Sequence, residues 1–194
     1  MLGQRDNGVV IGLVTSLDDP ERIGRVRVKY PHLEDQQSDW ARLVTGMAGP
    51  ERGLFLRPEI GDEVLVIFEQ GDPRRPYILG SLWSKPDKPP ADDGNATQNN
   101  WRFLKSRSGH VVKLDDTQGK ERIEILDKDG ARKVILDSAA HKIQIVCDTG
   151  DVEISAQSGT VKVNAMTVNM EAQGSMTLQA SGTMTIKGAI VNIN

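Results

Sequence analysis

The sequence predicts an all-β chain, with a small five-stranded barrel in front and a long stack of short strands behind it. All nine prolines lie at or before Pro90, and all eight aromatic residues lie at or before Phe103. Globular cores usually draw much of their bulk from aromatic side chains. Residues 104–194 are therefore not expected to form an ordinary globular core. Apolar residues there recur in pairs with a spacing of two, which is typical of strands.

The front of the chain contains five short strand patterns separated by turn residues. Valines alternate strictly with charged residues in 25–30, which indicates a strand with one buried face. The segment 63–68 is almost entirely apolar and predicts a central strand. The candidate strands are 9–14, 25–30, 40–45, 63–68 and 76–83. Five short strands without a convincing helix predict a Greek-key barrel of the OB type, which we place at residues 1–84.

Residues 85–100 are predicted to be a linker. The segment combines three prolines, several charges and a glycine, and this composition favours an extended and exposed chain. The linker is too short to contain a further folded domain.

The back of the chain, residues 101–194, is predicted to be a stack of strands, each followed by a turn. Apolar pairs begin at Ile123/Ile125 and Val134/Leu136, and turn formers such as Gly150, Gly159 and Gly174 separate the later pairs. A repeat this short holds one strand and one turn. The predicted inward residues of this stack, which we expect to form a trimer core, are Ile143, Ile145, Val152, Ile154, Val161, Val163, Val168, Met170, Met176, Leu178, Met184, Ile186, Val191 and Ile193.

A single chain could not stabilise such a stack. Each unit has about two inward aliphatic side chains, each worth roughly 1.5–3 kcal/mol on full burial. Ordering the backbone costs on the order of 1–2 kcal/mol per residue, and the strand edges also need partners. Three chains around one axis would meet both needs. The fold expected for the back part is therefore an intertwined triple-stranded β-helix formed by a homotrimer.

Composition excludes several classes of protein. The net charge of −3 argues against nucleic-acid binding, which usually needs a basic face. The first residues contain no apolar signal-peptide core, and no apolar run reaches the roughly 20 residues needed to span a bilayer. Cys147 is the only cysteine, so no intrachain disulfide can form. We expect synthesis in a reducing cytoplasm.

Three segments of the front part carry distinctive motifs: the longest runs from Gly61 to Trp83, and the others are 24–31 and 52–59. These segments resemble the OB domain of phage baseplate assembly protein V and of the valine–glycine repeat spike proteins of type VI secretion. The block 107–117, Arg-Ser-Gly-His-Val-Val-Lys-Leu-Asp-Asp-Thr, resembles the start of the β-helix in these proteins. The resemblance covers nearly the whole chain.

This resemblance implies the central spike of a contractile phage tail or related injection machine. The homotrimer would dock on a trimeric baseplate hub at its OB end, and sheath contraction would drive it through the target envelope, with transient membrane contact. The OB strand begins within about ten residues of Met1, so we expect the hub to be a separate protein. The expected location is a phage tail baseplate or contractile injection particle.

The resemblance also implies a partner at the needle tip. Some related spikes bind iron there through a His-x-His pair, which this sequence lacks. Others carry a small conical protein with a proline-alanine-alanine-arginine motif. We expect such a partner to bind the last strand edges by β-augmentation, at Gly188, Ala189, Ile190, Val191, Asn192, Ile193 and Asn194.

No catalytic residue, metal site or cofactor is predicted. The aspartate pairs at 18/19, 92/93 and 115/116 lie in turn-like contexts, where aspartate is an ordinary residue. His141 shares strand parity with Ile143 and Cys147, so a site on the trimer axis is conceivable, although a structural histidine is the simpler interpretation. Two alternatives to the spike stay open: a single-stranded nucleic-acid-binding OB protein, and a cell-wall hydrolase with two facing carboxylates.

Overall fold

The computed structural model of the protein describes residues 8–95 and 97–193. The chain divides into two units, one ending at Val146 and the other beginning at Cys147. Thirteen strands lie in the described part of the chain: β1 Val10–Ser16, β2 Arg27–Tyr30, β3 Gln36–Gln37, β4 Arg42–Leu43, β5 Ala48–Gly49, β6 Arg52–Gly53, β7 Glu63–Phe68, β8 Pro76–Leu82, β9 Trp101–Lys105, β10 Val111–Asp115, β11 Arg122–Leu126, β12 Arg132–Asp137 and β13 Lys142–Cys147. Two 3-10 turns cover Pro31–Leu33 and Glu69–Gly71.

The first eight strands contain the predicted barrel. Six of them form one sheet in the order β3-β2-β1-β7-β8-β4, in which β4 and β8 run parallel and the other neighbours run antiparallel. Val26 and Ala41 then exchange two backbone hydrogen bonds of 3.0 and 2.8 Å, which join the two sides of the sheet. The predicted all-β class and its OB-type barrel are confirmed.

The barrel core consists mainly of small aliphatic side chains, as the alternating pattern predicts. Val26 and Val28 of the charged strand are fully buried, and so are Val64 and Val66 of the apolar strand. Gly12 lies beneath them, and a Cβ added there would come within 2.9 Å of Val28 Cγ2. Glycine is therefore required at this position by close packing. The core residues are Val14, Val26, Val28, Tyr30, Ala41, Val64, Val66 and Ile78.

The third predicted strand is much shorter than expected. Regular pairing covers only Arg42–Leu43, which lie beside Tyr77 and Ile78 of β8, although Val44 still donates a backbone hydrogen bond to Ile78. The two-residue strands β3, β5 and β6 were not predicted, because two residues carry no readable periodicity.

A buried ion pair fixes the turn between β1 and β2. The Asp19 carboxylate accepts backbone hydrogen bonds from Glu21, Ile23 and Arg25, and the Arg25 guanidinium lies 2.7 Å from its Oδ1. These bonds satisfy a turn that would otherwise leave several N–H groups without partners. The carboxylate thereby sets the position of Ile23 and Gly24.

Asp19→Asn is expected to weaken the barrel and to reduce its loss of stability in acid. The Arg25 side-chain hydrogen bond holds the pKa of Asp19 far below its ordinary value of 3.8. A lowered pKa in the folded state contributes stability above pH 3.8, and that contribution is lost as the pH falls further. Urea unfolding of the wild-type chain and of Asp19→Asn at pH 7 and pH 3 checks this. The difference between their free energies of unfolding should be smaller at pH 3 than at pH 7. An equal difference at both pH values would contradict it.

The last five strands of the first unit form a separate antiparallel meander in the order β13-β12-β11-β10-β9. Val112 of β10 lies opposite Leu104 of β9 and Ile125 of β11, and Ile125 lies opposite Val134 of β12. The strands predicted at Ile123/Ile125, Val134/Leu136 and Ile143/Ile145 are therefore present.

Residues 148–193 form no strand within a single chain, and every residue of this segment is exposed. Strands were predicted here on the condition that neighbouring chains supply their hydrogen-bond partners. A single chain cannot supply them, so the intertwined β-helix stays a prediction.

Candidate self-association surface

One face of the meander sheet is aliphatic and exposed. Cross-strand partners in an antiparallel sheet lie on the same face, and the register joins these residues into one row across β9 to β12 and a second row across β10 to β12. Six of them are between 40% and 51% exposed, and Val134 is half-buried. We call this surface the aliphatic face, and its residues are Leu104, Val112, Leu114, Ile123, Ile125, Val134 and Leu136.

The opposite face of the same sheet carries charged residues that are buried. Lys113, Asp115 and Glu124 are between 4% and 8% exposed. Lys113 Nζ lies 2.6 Å from Glu124 Oε2 and 4.0 Å from the centre of the Trp101 ring. Arg122 Nε lies 3.1 Å from Glu124 Oε1 and 3.8 Å from Asp115 Oδ2. We call these four charged residues the ion-pair cluster.

This arrangement inverts the usual pattern of a half-buried sheet, in which the apolar face is covered and the charged face meets water. Paired charges tolerate burial because each carboxylate lies beside a cation. No described residue covers the exposed aliphatic face, whose side chains would each gain roughly 1 kcal/mol or more from full burial. Contiguous exposed apolar patches of this kind mark interaction surfaces.

The predicted trimer-core residues are all exposed in the single chain. Ile143 and Ile145 lie in β13, and the other twelve lie in the unit that begins at Cys147. Their exposed fractions range from 47% to 88%. Of the predicted tip residues, 188–193 are exposed as well, and Asn194 lies outside the described residues.

Sequence reasoning missed the beginning of this surface. The predicted trimer core starts at Ile143, whereas the aliphatic face starts at Leu104. A signal was present, because Val112 and Leu114 have the same spacing of two as the later pairs. The charged residues between and beside them concealed it, since charged side chains are expected on the solvent face.

His141 does not occupy the strand position that its spacing suggested. His141 lies in the turn before β13, is exposed, and has a positive φ of 50°. Within residues 8–95 and 97–193, no group of three or more His, Cys, Asp or Glu residues could hold a metal ion. In the same part of the chain, no helix has the length and apolar character needed to cross a membrane.

Comparison with known proteins finds similarity to an injector OB domain and to type VI secretion spike proteins. The family described as the type VI secretion system/phage-baseplate injector OB domain matches residues 10–83. Spike protein VgrG4b of Pseudomonas aeruginosa is 32% identical over 53% of this chain, and VgrG1a of the same organism is 30% identical over 54%. The actin cross-linking toxin VgrG1 of Vibrio cholerae is 27% identical over 88% of the chain. The chain spans only 14% to 18% of the length of these relatives.

Proposed function

Because residues 10–83 form an OB domain of the phage-baseplate and type VI secretion injector family, we propose that this chain is the central spike of a contractile tail or injection system. The working form is a homotrimer that sits beneath the tail tube and pierces the target envelope when the sheath contracts. The energy comes from the sheath. The spike therefore needs rigidity, and it carries out no catalysis.

The observation that carries this proposal is the inverted meander sheet. Its aliphatic face is exposed while Lys113, Asp115 and Glu124 of its ion-pair cluster are buried, and the sequence continues into a segment where every residue from 148 to 193 is exposed. Three copies around one axis bury the aliphatic face and the Val, Ile and Met residues that follow it. Strands of one chain then find hydrogen-bond partners in the next chain. The similarity to type VI secretion spike proteins supports the same interpretation.

The proposed role places the protein in a tail baseplate or injection particle, after synthesis in the bacterial cytoplasm. The OB end docks on a trimeric hub protein, and the opposite end meets the target membrane briefly. Single-stranded nucleic-acid binding and cell-wall hydrolysis are the competing functions. Neither requires three copies or an exposed aliphatic face.

Sedimentation velocity of the purified full-length chain tests the proposal. We expect a single species with three times the chain mass and a high frictional ratio. Negative-stain images should show a rod with a wider end. A compact monomer at micromolar concentration would contradict the trimeric spike. DNA binding that weakens steeply with salt, or clearing of peptidoglycan in a gel, would favour one of the alternatives.

The tip partner is a second element of the proposal. The predicted binding segment contains three large aliphatic residues, Ile190, Val191 and Ile193, of which the first and last are more than 80% exposed. We expect a purified proline-alanine-alanine-arginine protein to bind the intact chain and to lose binding when the chain is cut before Gly188. The truncated chain should remain trimeric, which separates loss of the tip from loss of assembly. Undiminished binding to that truncated trimer would refute the assignment of the tip.

A further inference from the structure

A groove opens on the side of the barrel. It lies between the β5–β6 hairpin and the turn that contains Ile23 and Gly24, and it has a volume of about 580 Å³. Pockets of this size are large enough to hold several side chains of a ligand or partner. The groove is built within the barrel and shares no residue with the aliphatic face.

The floor of the groove consists of large apolar side chains that are exposed. Phe55 is 76% exposed although it is one of only three phenylalanines in the chain. Such a concentration of large apolar side chains in one concave surface marks an interaction site better than scattered exposed residues do. The exposed apolar residues that line the groove are Ile23, Val44, Met47, Leu54, Phe55 and Leu56.

The shape of the groove is fixed by backbone contacts. Thr45 Oγ1 donates a hydrogen bond of 2.6 Å to the Leu54 carbonyl oxygen, and Leu54 N donates one of 2.9 Å to the Met47 carbonyl oxygen. Gly53 has a φ of +151°, and a Cβ there would lie 2.6 Å from that Met47 oxygen, so only glycine fits. On the other wall, Asp19 holds the turn that carries Ile23.

The rim of the groove is basic. Three arginines line it, Arg42, Arg52 and Arg57, against a single carboxylate, Glu51. Across residues 8–95 and 97–193, none of these three arginines forms an ion pair with a carboxylate. Arg42 and Arg57 instead lie over the rings of Tyr77 and Phe55. The rim therefore offers unneutralised positive charge around an apolar floor, in a chain whose net charge is negative.

We propose that this groove docks an acidic segment of a second protein, anchored by two or more large apolar side chains. Apolar side chains of the segment fill the floor beside Phe55, and its carboxylates face the rim arginines. Such electrostatic complementarity directs the partner to the surface and selects its orientation. The inference rests on the proposed function in one respect, namely that the partner belongs to the same assembly as the barrel.

Neither the linker nor the C-terminal segment of a second copy of this chain suits the groove as its occupant. The linker at residues 85–100 holds three aspartates, Asp87, Asp92 and Asp93, but it has no large apolar side chain to serve as an anchor. Residues 152–193 have anchors in abundance, but they contain only two carboxylates, Glu153 and Glu171, and these are far apart in sequence. Neither segment combines the two features that the groove requires.

A displayed library of random short peptides, selected on the immobilised full-length chain, tests the proposal. We expect the enriched peptides to be acidic and to contain at least two large apolar residues. A synthetic peptide of the consensus should lose at least about tenfold in affinity on Phe55→Ala, because exposed aromatic anchors carry much of the binding energy. Arg52→Glu should cost about threefold at low salt and less at high salt.

Controls separate this proposal from the proposed function. Leu33→Ala removes an exposed apolar side chain outside the groove and should leave the affinity unchanged. Phe55→Ala and Arg52→Glu should sediment as the wild-type chain does, since neither residue lies on the aliphatic face. A wild-type monomer would defeat the spike assignment while leaving the peptide result standing.

Three outcomes would overturn the groove proposal: no enrichment, enrichment of basic or uncharged peptides, or affinity unaffected by both variants. A photo-reactive residue in place of Phe55 adds a further check in the purified protein. Cross-links that join two copies of the chain through this position would show that the groove is a self-contact, and would also overturn the proposal.

Discussion

A chain carrying Ile125→Glu is expected to sediment as a monomer, or as heterogeneous aggregates, and not as the trimer proposed for the wild-type chain. Ile125 lies in the middle of the aliphatic face, with Val112 and Val134 on the adjoining strands. Trimer formation would bring three glutamates close to one axis and remove them from water. An unpaired buried charge costs several kcal/mol in practice, and three like charges repel one another as well. We expect no trimer at micromolar concentration near neutral pH.

A matched substitution shows whether the effect is local. Leu33→Glu places the same charge at a position of similar exposure on the barrel, 46% against 51% for Ile125. This variant should remain trimeric. Lowering the pH to about 4 should partly restore the trimer of Ile125→Glu, because protonation neutralises the introduced glutamate. A trimeric Ile125→Glu chain at neutral pH would show that the aliphatic face is not the contact between copies.

Lys113→Ala is expected to lower the free energy of unfolding by about 3 kcal/mol, the lower end of the range for breaking a buried ion pair. The lysine ammonium is the closest cation to Glu124, at 2.6 Å, and also lies 3.8 Å from Asp115. Its removal leaves two buried carboxylates with Arg122 as their only neighbouring cation in the cluster. Urea unfolding, followed by the fluorescence of the adjacent Trp101, measures the loss at a fixed chain concentration.

A double substitution distinguishes lost charge pairing from lost packing. Lys113→Met combined with Glu124→Leu replaces the pair by apolar side chains of similar volume, and such replacements are often neutral or stabilising. We therefore expect the double variant to recover most of the stability that Lys113→Ala loses. If the double variant were as unstable as Lys113→Ala, the pairing of charge across β10 and β11 would not be the source of the effect.

The barrel could be predicted from the sequence wherever a strand was long enough to show its period. The alternating valines of 25–30 and the apolar run of 63–68 became β2 and β7, with their valines in the core. The short strands β5 and β6 could not be predicted, because they depend on the unusual backbone of Gly53 and not on a hydrophobic pattern. The groove beside these two strands could not be predicted from the sequence for the same reason.

The trimer core assigned to the residues from Ile143 onward stays a prediction, because it depends on contacts between chains. Spacing alone indicated an aliphatic stripe, and these residues are exposed in the single chain. The burial of Lys113 and Glu124 could not be foreseen, because it depends on which residues face each other across β10 and β11. Residues 148–193 show a further limit, since their predicted strands require hydrogen bonds from other chains.

The exposed aliphatic face also has a consequence for how the protein is made. If the proposed trimer is the working form, a newly synthesised chain exposes the aliphatic face, followed by a segment without internal strand pairing, until it associates with two further copies. Unpaired strands and bare apolar surface are the features that drive misassociation of folding intermediates. Chains released from neighbouring ribosomes on one messenger RNA would meet quickly enough to avoid misassociation. Slow synthesis on widely separated ribosomes would favour aggregation. The yield of the correct oligomer should therefore rise with the number of ribosomes that translate one messenger RNA.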